Sequence, residues 1–109
     1  MTEISNLPPL CKCGNILRPD VVWFGESLPQ DVWQNAMNFA NKCDLMIIAG
    51  TSLVVSPANT LPIFAKQNNA TLVEVNPENT EMSGEMNLVI RNTSAESLPK
   101  LVSLFKNKL

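Results

Sequence analysis

Leu45-Met46-Ile47-Ile48-Ala49-Gly50-Thr51-Ser52 is the stretch on which the fold turns. Five apolar residues run without a polar break and stop at a glycine. A β-strand covered on both faces, as in a parallel sheet, reads this way. A buried helical turn is the alternative, but the run is short and bounded. Upstream, Pro29-Gln30-Asp31 opens a helical pattern in which Val32, Trp33, Ala36, Met37 and Ala40 share one face, ending near Lys42 before Cys43-Asp44. Downstream, Ser56-Pro57 resembles an N-cap with a first-turn proline, so residues 57–68 are predicted helical, kinked at Pro62 and ended by Asn68-Asn69. Residues 71–75 are predicted as a second strand, 77–86 as a polar loop and 87–90 as a short strand. From Ser94 to the end, Leu98, Leu101, Val102 and Phe105 lie on one helical face. From residue 30 the order is α-β-α-β-β-α, the grammar of an α/β fold with a parallel sheet under helices. Right-handed crossovers then place every strand's carboxyl end on one edge, where ligands bind.

The chain has 109 residues, 45% hydrophobic and 17% charged, enough apolar material for a core. Eight basic and ten acidic residues leave a net charge of −2. That balance argues against a polybasic nucleic-acid or membrane-surface binder. The run at 45–49 is far short of a membrane span, and no export signal opens the sequence. There is no histidine. The chain therefore lacks the side chain that by default titrates between pH 5 and 8, the commonest general base, and any His-containing zinc site. Three cysteines do not suggest a disulfide framework, and a cytoplasmic location is expected.

Residues 1–20 hold three prolines, no amphipathic period and the pair Cys11-Lys12-Cys13-Gly14. They read as a loop-rich segment that a metal could tie. Val21-Val22-Trp23-Phe24, closed by Gly25, read as a short strand or extended stretch. Cys11 and Cys13 could give two thiolates to zinc. A structural site needs four ligands, usually with two to four residues between paired cysteines; here the gap is one. Cys43, at a helix end, reads as an ordinary part-buried thiol. The plain alternative is two loop thiols. Glu74 reads as solvent-facing, and Trp23, Trp33 and Phe39 as core.

Two strand ends carry small or polar residues: Gly50-Thr51-Ser52-Leu53 and Asn76-Pro77-Glu78. Gly50 lets a ligand approach the backbone. Thr51 and Ser52 offer hydroxyls and N–H groups to phosphate or ribose oxygens, and Asn76 and Glu78 can take ribose hydroxyls. A nucleotide lying across adjacent strand ends fits this pattern; hydroxyl-capped βα turns fit it as well.

The segment Cys11-Lys12-Cys13-Gly14-Asn15-Ile16-Leu17-Arg18-Pro19-Asp20-Val21-Val22-Trp23-Phe24-Gly25-Glu26-Ser27-Leu28-Pro29 resembles the sirtuin stretch that joins the zinc module to the substrate groove. Cys43-Asp44, then Gly50-Thr51-Ser52-Leu53 with Val55-Ser56-Pro57-Ala58, then Val73-Glu74-Val75-Asn76-Pro77-Glu78-Asn79-Thr80 follow in that family's order and spacing. From about residue 7 onward the chain resembles the C-terminal half of an NAD-dependent protein deacylase. The resemblance implies half of a Rossmann-like, doubly wound parallel sheet with helices on its faces (21–109), preceded by a remnant of a small zinc module (1–20).

It further implies roles position by position. Gly50, Thr51 and Ser52 match the segment contacting NAD near its ribose and phosphates. Asn76, Pro77 and Glu78 match the segment taking the adenosine ribose. Ser94, in the turn Asn92-Thr93-Ser94, lies where the family often has a Gly-x-Ala-like turn by the adenine. Val22 and Phe24 would line the acyl-lysine channel, while the backbone at Gly25 and Glu26 would pair with substrate peptide as an added strand. Cys11 and Cys13 match the second zinc pair, two of four ligands. The family's glycine-rich phosphate loop, its nicotinamide-pocket Asn/Asp pair, its catalytic His and its first cysteine pair have no match here, so no catalytic residue is expected. In the family's chemistry the acyl oxygen attacks the ribose carbon as nicotinamide leaves, and a His then activates a ribose hydroxyl. These 109 residues are accordingly expected to be inactive alone. The expected partners are an acyl-lysine protein or peptide, an N-terminal half in cis or trans, or a second copy. The alternatives are a non-catalytic nucleotide-binding or interaction module, and a small metal or redox protein built on Cys11 and Cys13.

Overall fold

The structure, a computed structural model, describes residues 8–108, without the side chain of Lys108. The first seven residues of the segment 1–20, and Leu109, lie outside the described residues. The three predicted helical segments appear, among the described residues, as three α-helices and two 3-10 turns. Helix α1 (Gln30–Lys42) leads into strand β1 (Leu45–Ala49). A 3-10 turn (Ala58–Thr60) runs into α2 (Leu61–Gln67), followed by β2 (Thr71–Val75). A second 3-10 turn (Ser83–Glu85) precedes β3 (Leu88–Ile90), and α3 (Ser94–Lys108) closes the chain.

The three strands form one parallel sheet in the order β1-β2-β3. Leu45 pairs with Thr71 and Ala49 with Val75, while Val73 pairs with Leu88 and Val75 with Ile90. This register makes all three strands end at one level. The α/β character and the element order therefore agree with the sequence pattern. Leu72 and Ile48 point to the face under α2, where Leu53, Ala65 and Ala70 complete the core and Met46, Met82, Met86 and Cys43 pack around it. Val73 and Val75 alternate to the other face and are also buried.

Several expectations are corrected. Strand β1 is not covered on both faces among the described residues: it is a sheet edge, and Leu45 and Ile47 stay exposed. The helix expected over 57–68 is interrupted, because residues 58–60 wind as 3-10 and the α-helix begins at Leu61. Ser56 does not cap it; its hydroxyl donates to Asn59 Oδ1 at 3.1 Å. Pro62 sits in the first turn of α2 and not in a helix interior, so its missing N–H removes no helix bond. Of the two readings of residues 21–24, the strand is not formed: the stretch enters a turn closed by Glu26 N–H to Trp23 O at 3.0 Å. Trp23 and Phe39 are not core: they are 54% and 78% exposed.

The radius of gyration is 17.9 Å, against about 13 Å for a compact domain of roughly this size. The apolar residues left outside are the counterpart of that extended shape. No helix among the described residues is long and apolar enough to cross a membrane.

Candidate functional site

Each strand hands over, at the same edge of the sheet, to a residue with a special task. Beyond β1, Gly50 adopts φ +69°, a left-handed conformation that favours glycine, and its N–H donates to Val75 O at 3.0 Å. Beyond β2, Asn76 N–H donates to Ile90 O at 3.0 Å. Beyond β3 stands Arg91. A Cβ built on Gly50 would lie 3.5 Å from Ser94 Oγ, an ordinary contact. Gly50 is therefore required for its backbone, and Ser94 at the start of α3 is its immediate neighbour. Gly50→Ala is expected to cost about 1 kcal/mol of stability in urea unfolding; an unchanged midpoint would contradict this.

The two strand ends are tied together by Asn76. Its Nδ2 donates to Thr51 O at 3.0 Å and its Oδ1 accepts from Glu78 N–H at 3.0 Å. Gly50, Thr51, Asn76, Glu78 and Ser94 thus gather along one rim, with the Ser52, Pro77 and Glu78 side chains exposed. Thr51 Oγ1 accepts from Leu53 N–H at 3.2 Å. Leu53 has φ +63°, a conformation costing about 1–2 kcal/mol for a residue with a side chain. Its burial in the core offsets that cost and leaves residues 51–52 on the outside. Beside this rim a cleft of about 400 Å³ runs along the uncovered flank of β1 past Ile48, Thr51, Leu53, Asn59 and Pro62.

Under the rim lies a group that contradicts the expectation of a solvent-facing carboxylate. Glu74 is 1% exposed. It accepts hydrogen bonds from the hydroxyl of Thr80, from Ser83 Oγ at 2.6 Å and from Arg91 Nη1 at 3.1 Å. Burial pushes its carboxyl up, but the Ser83 and Thr80 hydroxyls and the Arg91 guanidinium outweigh this and hold it below the ordinary carboxylate value. Arg91 Nη1 also donates to Asn76 O at 3.1 Å and Glu78 O at 2.9 Å. Its Nη2 donates to Asn79 Oδ1 and to Ser83 Oγ at 3.1 Å. One signal was available in the sequence: a carboxylate between Val73 and Val75, in a strand apolar on both faces, needs a buried partner.

The 18–26 segment is braced separately. Arg18 stacks over the Trp23 ring at 4.2 Å and pairs with Glu26, whose Oε1 also accepts from Trp23 N–H at 3.0 Å. Arg18 beside it and that N–H hold the Glu26 carboxyl below its ordinary value. The brace presents Phe24, 92% exposed, at the tip of a turn with Gly25 at φ +85°, and leaves Val22 half exposed. Glu26 shares a shallow groove with Gln30, Trp33 and Pro57. No hydrogen bond among the described residues joins residues 22–26 to Gly50 or Asn76.

Cys11 and Cys13 lie on a tight hairpin closed by a Leu10–Ile16 antiparallel bridge, with Cys11 N–H donating to Asn15 O at 2.7 Å. Cys13 N–H donates to Cys11 Sγ at 3.3 Å. The Cys11 side chain, helped by the backbone at Asn15, lowers the Cys13 thiol from its ordinary value. Two sulfurs on one hairpin, one accepting an amide, suit half of a zinc donor set. Cys43 is elsewhere, its Sγ directed to Ala40 O. No group of three or more His, Cys, Asp or Glu residues converges among the described residues.

A family model described as "Sir2 family" matches residues 1–57. An NAD-dependent protein deacylase of Mycobacterium tuberculosis is 43% identical over 95 residues, which are 87% of this chain and 40% of that protein. The chain thus spans about two fifths of the length of the curated relatives it matches. Among solved structures, a mutant Sir2 homologue in complex with ADP-ribose superimposes with a TM-score of 0.85 at 39% identity, covering 97% of this chain and 43% of that one. A Sir2 bound to acetylated peptide superimposes with a TM-score of 0.78 at 34% identity, covering 94% and 43%.

Proposed function

The chain belongs to the Sir2 family, and from that premise we propose that it supplies one wall of the NAD cleft and the acyl-lysine groove of an NAD-dependent protein-lysine deacylase. The observation carrying this reading is the bond from Asn76 Nδ2 to Thr51 O, which fuses two strand ends into one rim beside Gly50 and Ser94. Gly50, Thr51 and Ser52 serve the ribose and phosphates. Asn76 and Glu78, with Pro77 shaping their turn, serve the adenosine ribose, whose hydroxyls donate to carboxylate and amide oxygens. Ser94 adds a hydroxyl next to Gly50. When bound, NAD supplies the electrophilic ribose carbon at which the nicotinamide bond breaks. The residues of this chain bind and orient; none of the 109 is assigned a catalytic role.

Val22 and Phe24 line the acyl channel, and the backbone at Gly25 and Glu26 pairs with substrate peptide. The Glu26 side chain, engaged by Arg18, stays out of that contact and stiffens the turn. Residues 1–20 belong to the zinc module and 21–109 to the Rossmann-like unit. Cys11 and Cys13 donate two thiolates to a zinc whose other two ligands come from outside this pair, and the protein works in the cytoplasm. The covering partner is the remaining part of the fold, in cis or in trans, or in its absence a second copy. With Phe24, Phe39 and the β1 edge uncovered, the purified 109 residues are expected to associate in sedimentation velocity. A single monomeric boundary at high micromolar concentration would count against this.

The lack of any histidine in the sequence favours, as a second reading, a non-catalytic module that keeps the nucleotide rim. Both readings share one test. ADP-ribose should bind in roughly the millimolar range, and Asn76→Ala should weaken it about tenfold by unfastening the two strand ends. Equal titrations for the two proteins would sink the assignment.

A further inference from the structure

The loop after β2 has a mechanical problem. Once past Asn76, its carbonyls have left the sheet ladder, yet Asn76 and Glu78 must stand in fixed positions to receive a ribose. We propose that Arg91 is a positioning residue for this loop: seated on the buried Glu74, its guanidinium holds residues 76–79 in the conformation that presents Asn76 and Glu78. The inference rests on the nucleotide reading above and adds to it a residue that is given no contact with the ligand.

Three observations carry it. First, Arg91 stands directly beyond β3, level with Gly50 and Asn76 beyond their own strands, so it reaches the loop without a change in sheet register. Second, its partners are spread over the whole loop: Asn76 O at 3.1 Å, Glu78 O at 2.9 Å, the Asn79 side chain, and Ser83 Oγ at 3.1 Å at the far end. Third, the fork is anchored from below by Glu74 at 3.1 Å, a carboxylate inside the central strand with 1% exposure. Charge neutralisation alone would need one contact with Glu74. The additional loop acceptors use the planar, multi-donor geometry that separates arginine from lysine. The Arg91 side chain is itself about one-third exposed (34%), so it lies at the boundary between core and loop.

The deciding comparison is Arg91→Lys against wild type in the 109-residue chain. Lysine keeps the charge over Glu74, but its one nitrogen cannot serve both the acceptors of Nη1, Asn76 O and Glu78 O, and those of Nη2, Asn79 Oδ1 and Ser83 Oγ. Hydrogen exchange of the Glu78 and Thr80 amides, which are held by Asn76 Oδ1 and Ser83 Oγ, should accelerate about tenfold, with the Leu72 and Val73 amides unchanged. ADP-ribose affinity should fall about tenfold, while the melting temperature stays within about 4 °C. If lysine rescues both loop exchange and affinity, Arg91 only neutralises charge and the proposal is overturned. Full affinity in Arg91→Lys despite a loosened loop overturns it equally. A wild-type chain that binds no ADP-ribose defeats the nucleotide reading first, an outcome distinguishable because exchange in the loop is read without ligand.

Discussion

Incubated with NAD and an acetylated peptide, the purified 109 residues should release no deacylated product above background. The physical basis lies in composition and geometry. A ribose hydroxyl must lose its proton at neutral pH, and the sequence has no histidine to take it. General-base catalysis alone is worth about 10²- to 10⁴-fold, and loss of a catalytic unit that acts as a whole commonly removes more. The rim at Gly50 and Asn76 also opens onto an uncovered β1 edge, so bulk water reaches any nucleotide lying on it and weakens each electrostatic contact. Mass spectrometry of the peptide after long incubation at high protein concentration is the check. Turnover by the pure chain would mean that the base comes from a group assigned here only to binding.

The largest stability effect is expected at Glu74. Replacing it by alanine leaves the Arg91 guanidinium and two hydroxyls without their shared acceptor. Breaking such a buried pair costs about 3 kcal/mol, a large share of what a small domain has, and the melting temperature should fall by roughly 10 °C or more. Glu74→Gln, which keeps the volume and part of the bonding, should lose less. The two states of the carboxyl set the pH dependence. Its folded pKa lies below the unfolded value, so its contribution is fully present above the ordinary carboxyl range and is lost as pH falls through the folded value. The stability advantage of wild type over Glu74→Gln should therefore be constant near neutrality and shrink below about pH 4. A gap that stays the same from pH 7 to pH 3 would show that the charge on Glu74 contributes nothing.

The elements that decide the fold were legible because their signals are local. The apolar run ended by Gly50 marks β1 residue for residue, and Thr71-Leu72-Val73-Glu74-Val75 marks β2. The places of Gly50, Thr51, Asn76 and Glu78 just past the strand ends were legible too, because the apolar runs stop there; the spacing alone fits a ligand rim and a capped βα turn equally. What escaped depends on contacts distant in sequence. Glu74 looks like an ordinary strand carboxylate until Ser83 and Arg91 are folded over it. Leu53 carries no sign of its left-handed backbone, because only burial in the core compels it. Trp23, Phe39 and Ile47 are apolar in a pattern that reads as interior, yet they stand at the surface. Periodicity reports that a face is meant to be covered and cannot report by what. Pro62 was misread for a simpler reason: the turn of 3-10 helix before Leu61 moved it from a helix interior to a first turn.

The central claim, that the carboxyl ends of β1 and β2 form one wall of a nucleotide cleft, is open to a direct measurement. Titrating the isotope-labelled chain with ADP-ribose at millimolar concentration and following the backbone amides by NMR should move residues 50–52, 76 and 78, and 94 together, along a single binding curve. Shifts confined to other surfaces, or different curves for residues 50–52 and residues 76–78, would contradict it.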